Sequence, residues 1–415
     1  MRLSMAAMAW RNLWRNRRRT LITLSAICFG IFLAVIFTAM QDRSFADMID
    51  LSARLGGGHV VIQHDEFIDT PTLTRTVQHT AEVRKNALAN PLVYKAVDRI
   101  SGQAMLNSSR NNAGVFFVAY DPAEEDDTTM SFLGGVLEGE LHQTAEDKGV
   151  VLGQKLAKNL GVEIGEKVVF TMMDKQGEIV SGLSRVTGVI STGSPSVDAT
   201  LCLLPINRIR ESIGYAPDEA TQVAVFISDQ RRSVRVSEEL TPMLAEGLDA
   251  LTWDEVQPEL SGFIAMKVGG ARFMELIIML LVAASIFNTL FVSVMERMRE
   301  FGIMMAIGYS RRQIFSLVMW ESTWLALVGL VGAAVVTWGP YSYLAKNGID
   351  ISAQLTQGGQ IDIAGVGMSP ILNVGIFPEN VAIIAVLAVF ATLASGLYPA
   401  WRAGRVQPVD TIRLV

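Results

Sequence analysis

Apolar residues are concentrated in four long blocks, and polar residues fill the segments between them. The blocks cover residues 21–41, 273–295, 313–345 and 381–401. A helix needs roughly 20 apolar residues to cross a bilayer core about 30 Å thick, and each block reaches that length. The pattern predicts an α-helical membrane protein with four transmembrane helices and a large domain, residues 42–272, inserted between the first two.

The first block could instead be the core of a signal peptide, because a basic segment precedes it. It is longer than the roughly 7–15 apolar residues of such a core. Its end, Phe37–Gln41, is a poor match to the small-x-small pattern at which signal peptides are cleaved. We therefore expect a retained transmembrane helix.

Basic residues in the short flanks predict the orientation of the four helices. Arginines precede the first block, lie between the second and third, and follow the fourth, whereas the loop at 346–380 contains only Lys346. This asymmetry predicts that both termini face the cytoplasm, including a tail at 402–415, and that the loop at 296–312 does so too. The domain and the 346–380 loop would then face outward.

The first 20 residues have the pattern of an amphipathic helix in the membrane interface. Apolar side chains recur at helical spacing between Leu3 and Trp14. We expect Trp10 and Trp14 at the depth of the lipid headgroups, with Arg11 and Arg15 toward anionic lipid. A basic segment that only directs membrane insertion would also explain these arginines, so both interpretations stay open.

Strand-like and helical runs alternate in the inserted segment, which predicts an α/β domain. The clearest runs are His59–Gln63, Val115–Ala119, Lys167–Thr171 and Gln222–Phe226 for strands, and Gln154–Asn159 and Ser233–Ala245 for helices. From Trp253 onward the pattern is helical and continues into the second apolar block. It predicts a stiff helical stalk, weakest at its glycines Gly262, Gly269 and Gly270.

Composition agrees with a membrane location and excludes some functions. Half of the residues are hydrophobic, 18% are charged, and the mean hydropathy is +0.34. A net charge of −6 provides no basic field for nucleic acid. The two cysteines, Cys28 and Cys202, lie in different segments, so we expect no disulfide between them.

No segment has the spacing that catalysis, phosphate binding or metal binding would need. The nearest candidate for a nucleotide-phosphate loop, Gly161–Lys167, lacks the Gly-Lys-Ser/Thr ending. The four histidines lack metal-ligand spacing. We therefore expect no catalytic residue, no metal and no bound cofactor. Glu321 lies well inside the third block, where an acid could relay protons but more often pairs with a neighbouring cation.

The loop at 296–312 has a composition unlike that of a simple turn. Charged residues come first, an apolar centre follows, and a glycine and a basic pair end it. The apolar centre contains Phe301, Ile303, Met304, Met305 and Ile307. We expect these side chains to be exposed to the cytoplasm unless a partner covers them, which predicts a docking surface.

This loop resembles the signature of the FtsX-like permease superfamily, which includes the MacB and LolC/LolE branches. The matching positions are Glu296, Arg297, Glu300, Phe301, Gly302, Ala306, Gly308 and Ile314. The C-terminal segment Tyr398–Arg413 is similar to the ending of the same family. Residues 149–168 resemble the MacB-type periplasmic domain, and Ser191–Asp198 resembles the LolC/LolE branch.

The resemblance implies an inner-membrane ABC transporter permease whose large domain is periplasmic. It would pair with a second copy or a paralogue and with two copies of a cytoplasmic ATPase, which binds ATP and Mg. Since only about 20 residues precede the first block, the ATPase would act in trans. The coupling residues would be Glu296, Arg297, Arg299, Glu300, Phe301, Gly302, Ala306, Gly308, Arg311 and Arg312.

The family also implies a mechanism, mechanotransmission, in which ATPase closure moves the periplasmic domain through the helices. Ser191–Asp198 favours extraction of a lipoprotein or another amphipathic substrate, with a periplasmic carrier or adaptor as a further partner. MacB-like efflux of peptides or macrolides is an alternative. FtsX-like activation of a cell-wall hydrolase is another, although the domain here is far larger than that of FtsX.

Overall fold

The computed structural model describes residues 2–350, 362–363, 366–367 and 371–405. The end of the family-like C-terminal segment, residues 406–413, and most of the predicted loop at 346–380 lie outside this part of the chain.

The chain divides into two compact units. The helical unit consists of Met1–Ser44, Ala265–Asp350 and Ile371–Val415. The α/β unit consists of Phe45–Ile264 and Ile351–Pro370.

The described residues form eleven α-helices and fourteen β-strands. The α-helices are α1 (Arg2–Arg15), α2 (Arg17–Leu55), α3 (Thr80–Leu88), α4 (Gln154–Leu160), α5 (Ile206–Ile213), α6 (Ser233–Leu240), α7 (Trp253–Val256), α8 (Pro258–Glu296), α9 (Met298–Ala306), α10 (Arg311–Asn347) and α11 (Pro378–Gly404). The strands of the α/β unit are β1 (Val60–His64), β2 (Val93–Asn107), β3 (Asn112–Tyr120), β4 (Val136–Gly139), β5 (Gly149–Gly153), β6 (Lys167–Met173), β7 (Ile179–Ile190), β8 (Leu201–Pro205), β9 (Gln222–Ile227) and β10 (Leu248–Thr252). Two short antiparallel pairs are β11 (Ile349–Asp350) with β14 (Ile371–Leu372), and β12 (Asp362–Ile363) with β13 (Val366–Gly367).

Four helices in the described ranges, α2, α8, α10 and α11, are long and apolar enough to cross a membrane. Each contains one of the four predicted apolar blocks, so the expected number of such helices is confirmed. The helices α2 and α8 have 39 residues each, or about 58 Å at 1.5 Å per residue. That length is nearly twice the hydrocarbon thickness of a bilayer.

The start of α8 differs from the sequence expectation. Helix was expected to run unbroken from Trp253, but α7 ends at Val256 and α8 begins at Pro258. Gln257 lies between them with φ −126° and ψ 71°. A residue before proline is kept out of the helical region by the proline ring, which explains the break.

Large apolar side chains at helical spacing form the core of the helical unit. Residues Ile27 and Ile31 of α2 pack with Ile286 of α8, Leu325 of α10 and Ile384 of α11. The third apolar block contributes small residues, which let two helices approach closely. A Cβ added at Gly329 would lie 2.6 Å from Ile27, and the Cys28 thiol donates to the Gly329 carbonyl.

The α/β unit is built on one continuous sheet in the order β10-β1-β9-β2-β3-β8-β5-β7-β4. Strand β6 pairs with both β2 and β7, which closes β2, β3, β8, β5, β7 and β6 into a ring. Large apolar residues fill that ring, including Phe117, Leu152 and Phe170. On the open part, β10-β1-β9-β2, helices α3 and α6 supply Val83 and Val236 to a second core.

A close backbone approach explains one glycine of this sheet. Gly58, just before β1, has φ +88°. A Cβ there would lie 2.7 Å from the backbone nitrogen and oxygen of Val225 in β9. A residue with a side chain would therefore be strained by its conformation and by this contact.

A buried ion pair joins strand β2 to the segment that follows β3. The side chains of Arg99 and Glu125 are fully buried, and Arg99 Nε donates to Glu125 Oε1 over 2.6 Å. Arg99 also donates to the carbonyls of Gly56 and Thr129 and lies over the ring of Phe226. Its charge is thus fully compensated, as burial requires.

Candidate functional site

The loop singled out in the sequence contains a short helix with defined ends. Helix α9 begins after Arg297, the residue that follows α8. Beyond its last turn, Gly308 donates to the Met305 carbonyl and Tyr309 donates to the Met304 carbonyl, with Gly308 at φ +104°. These two bonds form a Schellman motif, which needs a left-handed residue where Gly308 stands. The turn therefore accounts for this signature glycine.

Helix α10 begins at Arg311, soon after α9 ends at Ala306, and its first turn is capped. Ser310 caps α10, because its hydroxyl accepts from the Gln313 N–H while the Gln313 side chain accepts from the Ser310 N–H. This capping box satisfies two backbone donors at once. Ile314, the last signature position, is fully buried in the first turn of α10.

One face of α9 is packed inside the helical unit. Phe301 is fully buried and Gly302 is buried beside it. Phe301 belongs to an apolar cluster to which four other helices contribute: Ala9 of α1, Val294 of α8, Ile314, Leu317 and Val318 of α10, and Ala400 and Ala403 of α11. The expectation that Phe301 is exposed is wrong, because α1, α10 and α11 cover it.

A chain of ion pairs fixes the start of α9. Arg297 donates to Glu321 Oε1 over 2.9 Å and to Glu300 Oε2 over 3.1 Å, and its guanidinium lies 5.2 Å from the centroid of the Phe301 ring. Glu321 is buried, with 5% of its surface exposed. Of the two roles considered for Glu321, pairing with a neighbouring cation is the one that the structure supports.

The first helices of the chain join this network. Arg15 of α1 makes a two-pronged contact with Glu300, over 2.7 and 3.2 Å. Arg19 of α2 pairs with Glu296 over 2.5 Å. The hydrogen bond from Arg15, together with Arg297, holds the pKa of Glu300 below its ordinary value despite partial burial. Glu300 therefore stays charged at neutral pH and connects α1 to α9.

The predicted interfacial residues lie on a helix that packs against the bundle. Trp10 makes edge-to-face contacts with Trp14 and Trp324, with centroids 5.7 and 5.1 Å apart. The Trp324 indole N–H donates to the Ala6 carbonyl of α1 over 3.0 Å. Arg11 is exposed. In the structure, Arg15 pairs with Glu300 of α9. The prediction that placed Arg15 in the membrane interface did not include this contact.

The opposite face of α9 is open. Ile303 and Ile307 are 50% and 74% exposed, whereas Met304 and Met305 are half-buried. The expected exposure is thus confirmed for the two isoleucines. Four further predicted coupling residues, Arg299, Ala306, Arg311 and Arg312, are also exposed. This face combines exposed apolar side chains with guanidinium groups.

Five of the eight signature positions are buried or half-buried, and the other three, Glu296, Ala306 and Gly308, are exposed. Arg297 forms a buried ion pair with Glu321, whereas Glu296 and Glu300 form ion pairs at the surface of the unit. Phe301 and Gly302 are buried. Sequence reasoning missed the partners of these residues, Arg19 and Glu321 among them. The only signal was an excess of arginine before the first block and a single acid inside the third. We infer that most signature residues position α9, and that Arg299, Ile303 and Ile307 are free to contact a partner.

In the part of the chain that the structure describes, no group of three or more His, Cys, Asp or Glu side chains could hold a metal ion. The buried histidine His142 lies next to the Tyr120 hydroxyl, and burial lowers its pKa to about 4. It is therefore neutral at physiological pH.

Comparison with known proteins places both units in described families. The sequence profile of the MacB-like periplasmic core domain matches residues 20–243, which is more than half of the chain. The profile of the FtsX-like permease C-terminal region matches residues 272–408. The second match includes α9 and its ion-pair network.

Several curated proteins are similar over most of their length. LolC of Xylella fastidiosa, named a lipoprotein-releasing system transmembrane protein, is 23% identical over 79% of this chain and 79% of that protein. LolE of Haemophilus influenzae, a second protein of that description, is 22% identical over 97% of this chain and 98% of its own. PvdT of Pseudomonas fluorescens, a pyoverdine export ATP-binding/permease protein, is 23% identical over 97% of this chain and 58% of its own length.

The profile matches agree with the resemblance read from the loop, the C-terminal segment and the inserted domain. They cover most of the α/β unit and the part of the helical unit that contains α9. The relatives extend the similarity across both regions together. The chain therefore belongs to the MacB/LolC family of ABC transporter permeases, with a MacB-like periplasmic core domain and an FtsX-like permease region.

Proposed function

We propose that this chain is the membrane subunit of an ABC-type machine that takes up mechanical work at α9 and delivers it to the α/β unit. The energy comes from a separate cytoplasmic ATPase, which binds ATP and Mg and docks on the exposed face of α9. The outcome is extraction of a lipidated polypeptide from the outer leaflet of the inner membrane. The permease acts as a pair, with a second copy or with a paralogue.

The two-sided character of α9 carries this proposal. A helix that transmits force from a partner must be packed firmly against its own protein on one face. Its opposite face must be exposed so that the partner can bind there. The buried Phe301 and the pairs Arg297–Glu321 and Arg15–Glu300 provide the hold. The exposed Ile303 and Ile307 provide a surface on which a partner can bury apolar area.

The orientation of the chain supports a cytoplasmic partner. Basic residues lie in the first turn of α9, at Arg299, and after its end, at Arg311 and Arg312. A further basic run, residues 15–19, precedes the first span. Segments rich in Lys and Arg stay in the cytoplasm. The α/β unit, inserted between the first two spans, would then face the periplasm.

The long helix α8 supports transmission of movement. It runs from Pro258 to Glu296 and ends directly before Arg297, the residue that pairs with Glu321. The helix continues through Gly262, Gly269 and Gly270, and no atom outside the local backbone lies within 4 Å of a Cβ built at any of them. A continuous helix transmits displacement that a flexible linker would absorb.

The choice of substrate rests on the relatives. Two proteins named as parts of a lipoprotein-releasing system resemble this chain over most of its length. Export of a small molecule is the second candidate, because the pyoverdine export protein is similar over 97% of this chain. Its name, ATP-binding/permease, also agrees with a function that depends on an ATPase.

A reconstituted release reaction tests the proposal. The tagged chain is purified from its native membrane with the proteins that accompany it and placed in vesicles that contain an acylated polypeptide. We expect an ATPase to co-purify and ATP to drive release of the polypeptide into the soluble fraction. A six-residue Gly/Ser insertion at Gly262 should leave ATP hydrolysis intact and reduce release about tenfold or more.

A matched insertion separates transmission from general damage. Gly177, at φ +83° in the turn between β6 and β7, tolerates extra residues because the turn is exposed. The same insertion there should leave release unchanged. Equal release from both insertions would contradict transmission through α8, and ATP-driven efflux of a small molecule without lipoprotein release would contradict the proposed substrate.

A further inference from the structure

A cavity of about 300 Å³ opens in the helical unit between α2, α10 and α11. Ile31 of α2, Ala334 of α10 and Ile384 of α11 contribute to its wall. Apart from Thr337 and Tyr341, the lining residues are Ala, Val, Leu, Ile and Trp. Because all three helices are long and apolar enough to cross a membrane, the open side of the cavity would meet hydrocarbon rather than water.

The cavity contains one polar group whose bonding is incomplete. Thr337 is more than nine-tenths buried, at 8% exposure, and its hydroxyl has no hydrogen-bond partner within the described part of the chain. Threonines in helices usually satisfy this hydroxyl by bonding to a carbonyl one turn earlier. A buried hydroxyl in an apolar wall is costly unless an acceptor reaches it. The geometry thus calls for a mostly apolar ligand that carries an acceptor.

A proline also interrupts the hydrogen bonding of α10 close to Thr337. Pro340 lies inside α10, one turn from Val336. Proline has no N–H, so it cannot donate to the Val336 carbonyl as a helix would require. The regular hydrogen bonding of α10 is therefore interrupted one residue before Thr337.

Neighbouring side chains indicate the depth of the cavity. Trp338 and Tyr343 are 75% and 67% exposed, as expected of aromatic residues at a membrane–water interface. On the same unit, Asn380 donates to Asp42 over 2.7 and 2.8 Å and accepts from Arg272 over 2.6 Å. Thr337 precedes Tyr341 by one turn, about 6 Å. Its hydroxyl would lie just below the headgroups, at the depth of the ester groups of a phospholipid.

We propose that this cavity binds one acyl chain of a bilayer glycerophospholipid, with the Thr337 hydroxyl donating to the ester carbonyl of that chain. The apolar wall provides the contact for the chain, and the unpaired hydroxyl provides the polar contact at its head. The cavity lies about 40 Å along α10 from Arg311, at the end opposite to α9. The site is therefore distinct from the docking face of α9 and does not depend on the proposed ATPase.

Site-specific photolabelling of the full chain in lipid nanodiscs tests this site. The probe is a phosphatidylethanolamine with a diazirine in the middle of one acyl chain, prepared in ester-linked and ether-linked forms. We expect the ester-linked probe to label peptides around residues 330–341 and 381–385 preferentially. The ether-linked probe, which has no carbonyl, should label them about fivefold less.

Two substitutions and one control make the test decisive. Thr337→Val keeps the shape of the side chain and should remove the preference for the ester-linked probe. Ala334→Trp fills the opening and should reduce labelling of these peptides about tenfold, whereas Val335→Trp should not, because Val335 is 72% exposed and does not line the cavity.

The outcomes that would overturn the proposal are specific. Labelling spread evenly over the lipid-facing residues of α8, α10 and α11 would show ordinary surrounding lipid and no site. Equal labelling of the wild-type chain by the two probes would exclude the contact between Thr337 and the carbonyl. Unchanged labelling of the Ala334→Trp variant would exclude occupation of the cavity.

Discussion

A Phe301→Asp substitution is expected to abolish the coupling of this permease to ATP hydrolysis. Phe301 is fully buried among residues of α1, α8, α10 and α11. A carboxylate there would be desolvated, and it would compete with Glu321 for Arg297. We expect the ATPase to be lost on co-purification, or its stimulation by the permease to fall at least tenfold.

Two further variants separate anchoring of α9 from docking on it. Phe301→Leu keeps an apolar side chain in the cluster and should retain most of the stimulation. Ile307→Asp changes a residue that is 74% exposed, so it should weaken binding of the ATPase without lowering the thermal stability of the permease alone. If the Phe301→Asp variant bound and stimulated the ATPase normally, the anchoring role of Phe301 would be wrong.

An Arg99→Met substitution is expected to destabilise the α/β unit more than any change of an exposed charge. It leaves Glu125 fully buried without its cation and removes donors from the carbonyls of Gly56 and Thr129. Breaking such a buried pair costs about 3–5 kcal/mol. For a domain of this size that corresponds to a fall in Tm of roughly 10 °C, which proteolysis of the α/β unit at increasing temperature would measure.

Two controls accompany the Arg99→Met prediction. One also replaces its partner Glu125, and the other changes an exposed ion pair. The double substitution Arg99→Met with Glu125→Met removes both charges and should recover much of the lost stability. Arg235 pairs with Glu239 at four residues' distance on exposed positions of α6, so Arg235→Met should change the Tm by only a degree or two. A Tm of the Arg99→Met variant equal to that of the wild type would mean that the pair contributes little.

The membrane helices could be predicted from the sequence because their signal is local. Twenty consecutive apolar residues identify a span without knowledge of its neighbours. Their full length could not be predicted, since α2 and α8 continue beyond the apolar blocks into polar sequence. The break at Gln257 was in principle visible, because Pro258 follows it.

The ring of strands was not predictable, because it depends on contacts between distant residues. Strand β2 contains Lys95, Asp98 and Arg99, which interrupt any simple alternation of apolar and polar positions. Arg99 is buried only because Glu125 supplies a charge from 26 residues away. The pairing of β6 with both β2 and β7, which closes the ring, likewise leaves no local pattern in the sequence.

The composition of the loop at 296–312 predicted some features of α9 but not which of its faces is buried. An apolar centre between charged flanks correctly marked α9 as unusual. It did not show that Phe301 faces inward and Ile307 outward, because the residues that cover Phe301 include some from α1 and α11, which are far from it in sequence. Nor did the sequence pair Arg15 with Glu300, which are 285 positions apart.

In the proposed function, α9 faces the cytoplasm and an ATPase covers it there. An Ile307→Cys variant tests both parts, because the native thiols offer little background: Cys202 is fully buried, and Cys28 can be replaced by Ala. A membrane-impermeant maleimide should react with Cys at 307 only from the cytoplasmic side, and the bound ATPase should protect it. Reaction from the periplasmic side would contradict the cytoplasmic location of α9, and reaction unaffected by the ATPase would contradict docking of the ATPase on it.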